Sequence, residues 1–570
     1  MWTRLVQSLG AGLLAARASY AAVLVDFQVA QPPPLPSSAQ QCTVQILERT
    51  FGNSYGDPEI VQYTPPTDCG EVGSWAGISL NFTVTSNGTQ YDRLGIFTFQ
   101  NVEIWRTSTP EPTTDGIIWT YLKDATRYLP LFSEPGTFIL ELDNILETGL
   151  NGQYASTLTA TFYASSDEHP AAPRANTIIP VTTLANNTGD DASVPPVFSL
   201  NVTIPQNAVA VYAELYASGN SAEEFWYYNV ASEYLGDLPS GFTYGYGPFR
   251  EVRMLVDGQV AGVAFPYAVI FTGGISPTAW RPITSYGALD LPTYFIDLTP
   301  FVPVLTDGQP HNISIDVVSA ETNHTINDNW YVSGNLQVVT DSSSSPTTGN
   351  ITAYNVEPYA ETTTTGTLDD NGDLTVTVTA KRSIQIQSDF TSGSGEHTSV
   401  TWTQNLDYSN TQSYLNGYLV NNVAQTATGS FLSTHNGVSV LSDDFSYPLY
   451  INMTYLNDSY ESWTAEFDHS YNRVSLPSPF ILGSTINERQ TATSSFVVSA
   501  SGNYGNGTND DTFSYSDDDG NTYWRNVGAA DNNITYDSVG GSLSGGPFSL
   551  PFSAPMSQGV LAKPRLPGGK

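Results

Sequence analysis

The sequence predicts an all-β protein built from more than one sandwich or barrel. Three observations carry this. Many short runs alternate apolar and polar residues, as strands half-buried in a sheet do. Gly, Pro, Asn and Asp interrupt these runs at close intervals, and no segment sustains the 3.6-residue period of an amphipathic helix. At 570 residues the chain is also too long for one hydrophobic core, so two to four domains are expected.

Residues 1–22 read as a signal peptide. Arg4 precedes an apolar run from Leu9 to Ala16, and Ser19-Tyr20-Ala21 resembles a small-residue cleavage site, although Arg17 interrupts the apolar core. A first β-sandwich domain is expected over 23–167. It opens on a strand-like start at 24–30 and a proline cluster from Pro32 to Pro36. Gly and Pro spacing over 42–66 reads as turns around short strands. Further strands are expected at 77–85, 93–99, 103–106, 116–121, 128–132, 137–142 and 156–164, with a turn region at 107–114. The Pro-, Asn- and Thr-rich stretch 168–196 is expected to be a linker.

A second β domain is expected over 197–341. Its strands fall at 197–204, 208–217, 253–256, 258–264, 294–298, 311–318 and 330–339, and Asp257-Gly258 marks a hairpin turn. A serine run with Pro346 makes 342–350 a second linker. Residues 351–538 form a third β-rich region, where 373–380 and 383–388 read as two strands separated by Lys381-Arg382. Others are expected at 439–441, 450–455 and 494–498. The Gly-, Ser- and Pro-rich stretch 539–570 is expected to be a disordered tail.

Charge and cysteine usage narrow the class. Lys and Arg total 19 against 55 Asp and Glu, a net charge of −36. That excludes nucleic acid and anionic membranes as partners, since both need basic patches. No apolar stretch approaches the ~20 residues that cross a bilayer. Cys42 and Cys69 read as one disulfide, the alternative being two buried free thiols. Sequons at Asn81, Asn87, Asn186, Asn201, Asn312, Asn323, Asn350, Asn452, Asn457, Asn506 and Asn533 point with the signal peptide to a glycosylated, secreted or vacuolar protein. There is no phosphate loop, serine elbow or metal-ligand spacing, so neither metal nor cofactor is expected.

Three acids sit beside aromatic or apolar strand residues rather than in solvated charge runs. Asp92 stands next to Arg93 at the mouth of the alternating stretch 90–107, QYDRLGIFTFQNVEIWRT. Asp143 closes the run 138–144, where alternation puts it on the same face as Glu141. Glu224 precedes four aromatics, Phe225-Trp226-Tyr227-Tyr228. Each acid taken singly reads more readily as a cap, turn or surface residue than as a catalytic group. The tryptophans and tyrosines, Trp105, Trp119, Trp226, Tyr227, Tyr228, Tyr244, Tyr246, Trp280 and Trp330, suit either sugar stacking or a sandwich core.

Longer blocks add a resemblance. FGNSYGDPEIVQYTPP (51–66), NFTVTSNGTQYDRLGIFTFQNVEIWRTSTPEPT (81–113), SAEEFWYYNV (221–230), GPFREVRMLVDGQVAGVAFPYAVIFTGG (247–274), WRPITSYGALDLPTYFIDLTPFV (280–302) and NDNWYVSGNLQVV (327–339) resemble the plant and fungal acidic glycoamidases, the peptide:N-glycanase A family. A more distant likeness is to the bacterial peptide:N-glycosidase F family. The resemblance implies two jelly-roll-like β-sandwiches with the site between them. It also implies hydrolysis of the amide between an N-linked glycan and Asn, leaving Asp and releasing a glycosylamine.

Residue by residue, the resemblance implies Asp92, Glu224 and Asp143 as the catalytic acids; Asp92 is the expected base, with Arg93 holding it ionised by charge proximity. Arg93, Trp226, Trp280, Arg281 and Glu141 are the expected substrate-binding residues, on N-glycosylated peptides or proteins. The chain is expected to act as a monomer or as self-associated processed chains. A glycoside hydrolase with paired carboxylates and a non-catalytic glycan-binding or cell-wall protein are the alternatives.

Overall fold

A computed structural model describes residues 23–185, 187–189, 191–500, 502–545 and 565–566. The expected signal peptide, the Asn186 sequon and most of the expected tail lie outside the described residues.

The first sandwich comprises β1 (Leu24–Asp26), β2 (Gln41–Phe51), β3 (Glu59–Tyr63), β4 (Gly77–Ser86), β5 (Leu94–Phe99), β6 (Val102–Ser108), β7 (Ile117–Asp124), β8 (Gly136–Leu142) and β9 (Tyr154–Tyr163). One sheet runs β1-β7-β4-β9-β2 and the other β3-β8-β5-β6. The pairs β2·β9, β3·β8, β4·β7 and β5·β6 describe a ribbon doubled over and wrapped into two sheets, the jelly-roll arrangement. Alternation selects the inner face: Phe82 of one sheet meets Phe97 of the other edge-on at 4.9 Å, and Trp105 stacks on Phe97. Cys42 and Cys69 form the expected disulfide.

The second sandwich repeats the plan. Its strands are β10 (Thr177–Val181), β11 (Ala192–Val194), β12 (Phe198–Val202), β13 (Ala208–Asn220), β14 (Glu251–Val256), β15 (Gln259–Ala264), β16 (Tyr294–Asp297), β17 (His311–Val318) and β18 (Asn329–Thr340). The sheets run β10-β18-β13-β16, with β11 also on β18, and β12-β17-β14-β15. Asp257 and Gly258 both take positive φ at the β14–β15 turn, as a two-residue hairpin demands.

The remaining described strands, from Thr348 to Gly540, form one eleven-stranded sheet. Its strands are long and alternate strictly in burial, as in His397–Leu415. The covered face packs on the second sandwich: Trp402 Nε1 donates to the Ala261 carbonyl and Asn410 Nδ2 to that of Tyr227.

Several local expectations are corrected. The stretch 168–196 is not a plain linker, because β10 and β11 pair with β18. β19 (Thr348–Val356) likewise begins inside 342–350. Residues 128–132 are helical turns, Thr126–Tyr128 and Leu129–Phe132, with Pro130 at the start where its missing N–H costs nothing. The two strands expected around Lys381-Arg382 are one strand, Leu374–Thr391, as are 439–441 and 450–455 within Val438–Tyr455. The last strand of the sheet reaches Gly540, inside the stretch expected to be disordered, and Arg565 is placed against the second sandwich. All ten described sequon asparagines are at least partly exposed.

Buried acids give the fold a pH dependence of definite sign. Burial pushes Asp26 up to about 8, against the opposing Arg281 charge and the Phe27 N–H. Asp511 is raised to about 8 by burial, opposed by Arg525, and Glu488 beside it is raised well above the usual range by burial and by Asp511. These carboxyls hold protons in the folded chain that the unfolded chain releases near pH 4. Their contribution is therefore complete below that pH and is lost as pH rises through about 8. Calorimetry should show Tm falling between pH 5 and pH 8, on the order of 5 °C, with Asp511→Asn flattening the slope. A Tm that rises over that interval contradicts this assignment.

Candidate active site

The site is assembled where the β5–β6 hairpin of the first sandwich meets a long loop of the second. Asp92 and Arg93 immediately precede β5. The Arg93 carbonyl accepts from Thr109 N–H, and the Thr109 hydroxyl accepts from Arg93 N–H, so both ends of the hairpin are tied together. That tie brings Glu111, three residues past the end of β6, beside Asp92. The segment between β15 and β16 then crosses over: Thr272 Oγ1 donates to the Thr109 carbonyl at 2.5 Å, and Gly273 N–H donates to the Asp92 carboxylate. Farther along, Ser108 N–H bonds the Ala288 carbonyl and Trp105 Nε1 that of Leu289.

Gly273 is a point of close approach. A methyl placed on it would lie 2.5 Å from Glu111 Oε1 and 2.7 Å from Asp92 Oδ1, so the two carboxylates face the same small space. Only a residue without Cβ lets the backbone pass this close to both acids.

Glu224 reaches the site from the second sandwich. The chain turns sharply after β13, with Ser221 at positive φ and Glu224 N–H donating to the Ser221 carbonyl. Gly219 makes this possible, since a Cβ there would sit 2.2 Å from the Glu223 carbonyl oxygen. Adjacent acids then diverge. Glu223 turns inward to Arg250, Trp330 and Asn327, whereas Glu224 points to the Asp92 side and accepts from Arg565 Nη1 at 2.6 Å.

The electrostatics follow from three carboxyls with little water. Asp92 is 9% exposed, Glu111 2% and Glu224 6%. Burial raises Asp92, opposed in order by the Arg565 charge, the Gly273 N–H, Arg93 and its own amide. Glu111 is raised well above the usual range by burial and by the Asp92 charge, against Arg281, Arg565 and Arg93. Glu224 is raised to about 7 by burial, with Arg565 opposing and Asp92 reinforcing. Like charges this close cannot all ionise, so the group retains protons near neutrality.

The expected site residues separate into two sets. Asp92, Arg93, Glu224 and Arg281 are brought together. Arg93, however, spends its guanidinium on Gln90 and Asn144, at 2.8 and 3.1 Å, and burial outweighs its charge at Asp92. Arg281 is buried between Glu111 and Asp26, with Nε and Nη2 unengaged. Asp143 is not brought into the group: it lies beyond the end of β8 and its carboxylate accepts from Gly56 N–H. Glu141 is buried against Gly189, away from these acids. Trp226 packs on Trp330, and Trp280 bonds the Gly274 carbonyl and packs on Phe467, so both are core side chains rather than exposed stacking platforms. Glu111 is the acid that the sequence reading missed.

A family model described as peptide N-acetyl-beta-D-glucosaminyl asparaginase amidase A matches residues 31–357, more than half of the chain. The chain belongs to this family. Residues 375–449 match the family's C-terminal domain. The peptide-N4-(N-acetyl-beta-glucosaminyl)asparagine amidase A of Prunus dulcis is 35% identical over 353 residues, 59% of this chain and 60% of the relative. The chain thus spans about 60% of that relative's length. Among solved structures, PNGase F, a glycosylasparaginase from Flavobacterium meningosepticum, is 14% identical with a TM-score of 0.34, over 53% of this chain and 97% of that one. PNGF-II is 13% identical with a TM-score of 0.33, over 53% and 66%. Asp92, Glu111, Glu224, Gly273 and Arg281 all fall within the segment matched by the family model, and Arg565 falls outside both matched segments.

Proposed function

We propose that this chain hydrolyses the amide joining an N-linked glycan to asparagine, on glycopeptides or glycoproteins. The observation that carries the reading is the buried group Asp92, Glu111 and Glu224, all with proton affinities raised by burial and, for the two glutamates, by the Asp92 charge, inside the segment that matches the amidase family. Hydrolysis of an amide by water needs a base to take a proton from water and an acid to protonate the departing nitrogen. Three interacting carboxyls that share protons supply both.

Asp92 is the base, because the Gly273 N–H and its own amide bond its ionised form, a support given to neither Glu111 nor Glu224. Water attacks the side-chain carbonyl carbon of asparagine while Asp92 takes its proton. The C–N bond then breaks as a protonated carboxyl delivers a proton to nitrogen. Glu111 is the proposed donor, since its Oε1 has no partner and burial keeps it protonated. Arg281 stands behind Glu111 and offsets the charge left there. Glu224 orients the sugar side of the bond. The products are a glycosylamine and aspartate, and atoms balance with one water consumed.

The substrates are N-glycosylated polypeptides, met outside the cytoplasm if residues 1–22 act as a secretion signal. Exposure of the described sequon asparagines agrees with that route. Mass spectrometry of a glycopeptide incubated with the protein tests the activity. An amidase leaves the peptide about 1 Da heavier than its unglycosylated asparagine form. A glycosidase leaves a GlcNAc on the peptide, and a binding protein changes nothing; either outcome refutes the reading.

A further inference from the structure

The carboxyls just described are closed off by another part of the same chain. Arg565 donates to Glu224 at 2.6 Å, and its charge acts on Asp92 and Glu111 as well. Its carbonyl accepts from Ile275 N–H at 3.1 Å, making a parallel bridge with Gly274, the residue next to Gly273 whose amide caps Asp92. Leu566, next along the chain, is 5% exposed and joins the core of the second sandwich.

Resting on the amidase reading, we propose that the Gly274–Ile275 edge, Glu224 and the socket of Leu566 form a binding subsite for the polypeptide part of the substrate. Residues Arg565–Leu566 occupy it as an internal competitor. Three arguments carry this. Main-chain pairing to an exposed edge is how proteins hold extended peptides of varied sequence, with side-chain sockets adding preference. The occupant already shows the chemistry: an edge carbonyl, a cationic or donor side chain toward Glu224, then an apolar residue.

Second, charge suits it. Residues 546–570 hold Lys563, Arg565 and Lys570 and no acid, in a chain of net charge −36. Pro564 and Pro567 flank the occupant and favour an extended backbone at little entropic cost. Third, the site has to open for the proposed reaction. With Arg565 in place the three acids are almost out of solvent, while the Arg565 side chain itself is 47% exposed. A competitor tethered within the same chain acts at an effective concentration near millimolar, so modest affinity suffices.

The experiment uses full-length protein carrying Arg565→Ala, Arg565→Glu or Arg565→Ala with Leu566→Asp. First, kcat/KM is measured on a short glycopeptide. Each variant should raise it by about tenfold, mainly through KM, and the gain should shrink at high salt where the wild-type ion pair is already screened. Second, a fluorescent peptide of residues 560–570 is titrated by anisotropy into the Arg565→Ala protein. It should bind, be displaced by glycopeptide, and inhibit competitively. Lower kcat in Arg565→Ala would make Arg565 part of the machinery and overturn the proposal; so would unchanged kinetics, or a peptide that does not bind. The binding arm reads independently of turnover, so a chain without amidase activity fails the amidase reading while peptide binding still judges the subsite.

Discussion

Asp92→Asn is expected to lower kcat for glycan release by about 10²–10⁴-fold, the range for loss of a positioned acid or base, with Tm unchanged or raised. The two halves of that expectation come from one cause. Asp92 is buried with Glu111 and Glu224, and burial is the largest influence on all three, acting against ionisation. Replacing one carboxylate by an amide removes a buried charge and the repulsion it exerts on the others, which favours folding. The Gly273 N–H still finds an acceptor in the amide oxygen, so the loop retains its anchor. What is lost is the group that accepts the proton from water. In the wild type, activity should also fall above pH 7, as the set loses a proton at Glu224, raised to about 7 by burial. Initial rates on a glycopeptide from pH 4 to 9, with thermal melts on the same samples, check both halves. An Asp92→Asn variant with near wild-type turnover removes Asp92 from the chemistry.

The fold was largely legible because strands half-buried in sandwiches write their period directly into sequence. Both jelly rolls follow from such runs, and the hairpin at Asp257-Gly258 from turn chemistry. Errors arose where burial is two-sided or where polar residues form strands. The pleat of β8 is buried on both faces, with Gly189 of the segment before β11 lying against Glu141; alternation then carries no information about which acid faces a cleft. Asp143 lies past the strand end, where alternation no longer applies, and its neighbour Asn144 is the residue that touches Arg93. The eleven-stranded sheet exposes a Thr- and Ser-rich face, so its strands run through stretches that read as breaks.

Glu111 was missed for a related reason. It sits in Ser108-Thr109-Pro110-Glu111-Pro112-Thr113, which reads as a turn. A single acid held between two prolines, in a chain with only 13% charged residues, was the available signal. No sequence rule brings Arg565 across from its distant position to Glu224. That meeting depends on tertiary placement alone.

The adjacent acids Glu223 and Glu224 should separate stability from activity. Glu223→Ala is expected to cost about 3–5 kcal/mol, the range for breaking one side of a buried ion pair. Arg250 donates to both Glu223 oxygens, at 2.5 and 2.7 Å; Trp330 Nε1 and Asn327 N–H add bonds at 2.8 and 2.9 Å. Removing the carboxylate strands the Arg250 charge and the indole N–H in the core. These bonds outweigh burial and hold the Glu223 pKa below its usual value. The contribution is therefore present above the unfolded pKa and lost as pH falls through the folded one, so the gap between wild type and variant should narrow below about pH 4. Glu224→Gln should behave oppositely, with Tm held or raised and kcat/KM down about 10²-fold. Denaturant midpoints and glycopeptide kinetics on both variants decide it. If Glu224→Gln proves as destabilising as Glu223→Ala and keeps its activity, then both acids are structural and the assignment of Glu224 to the substrate side is wrong.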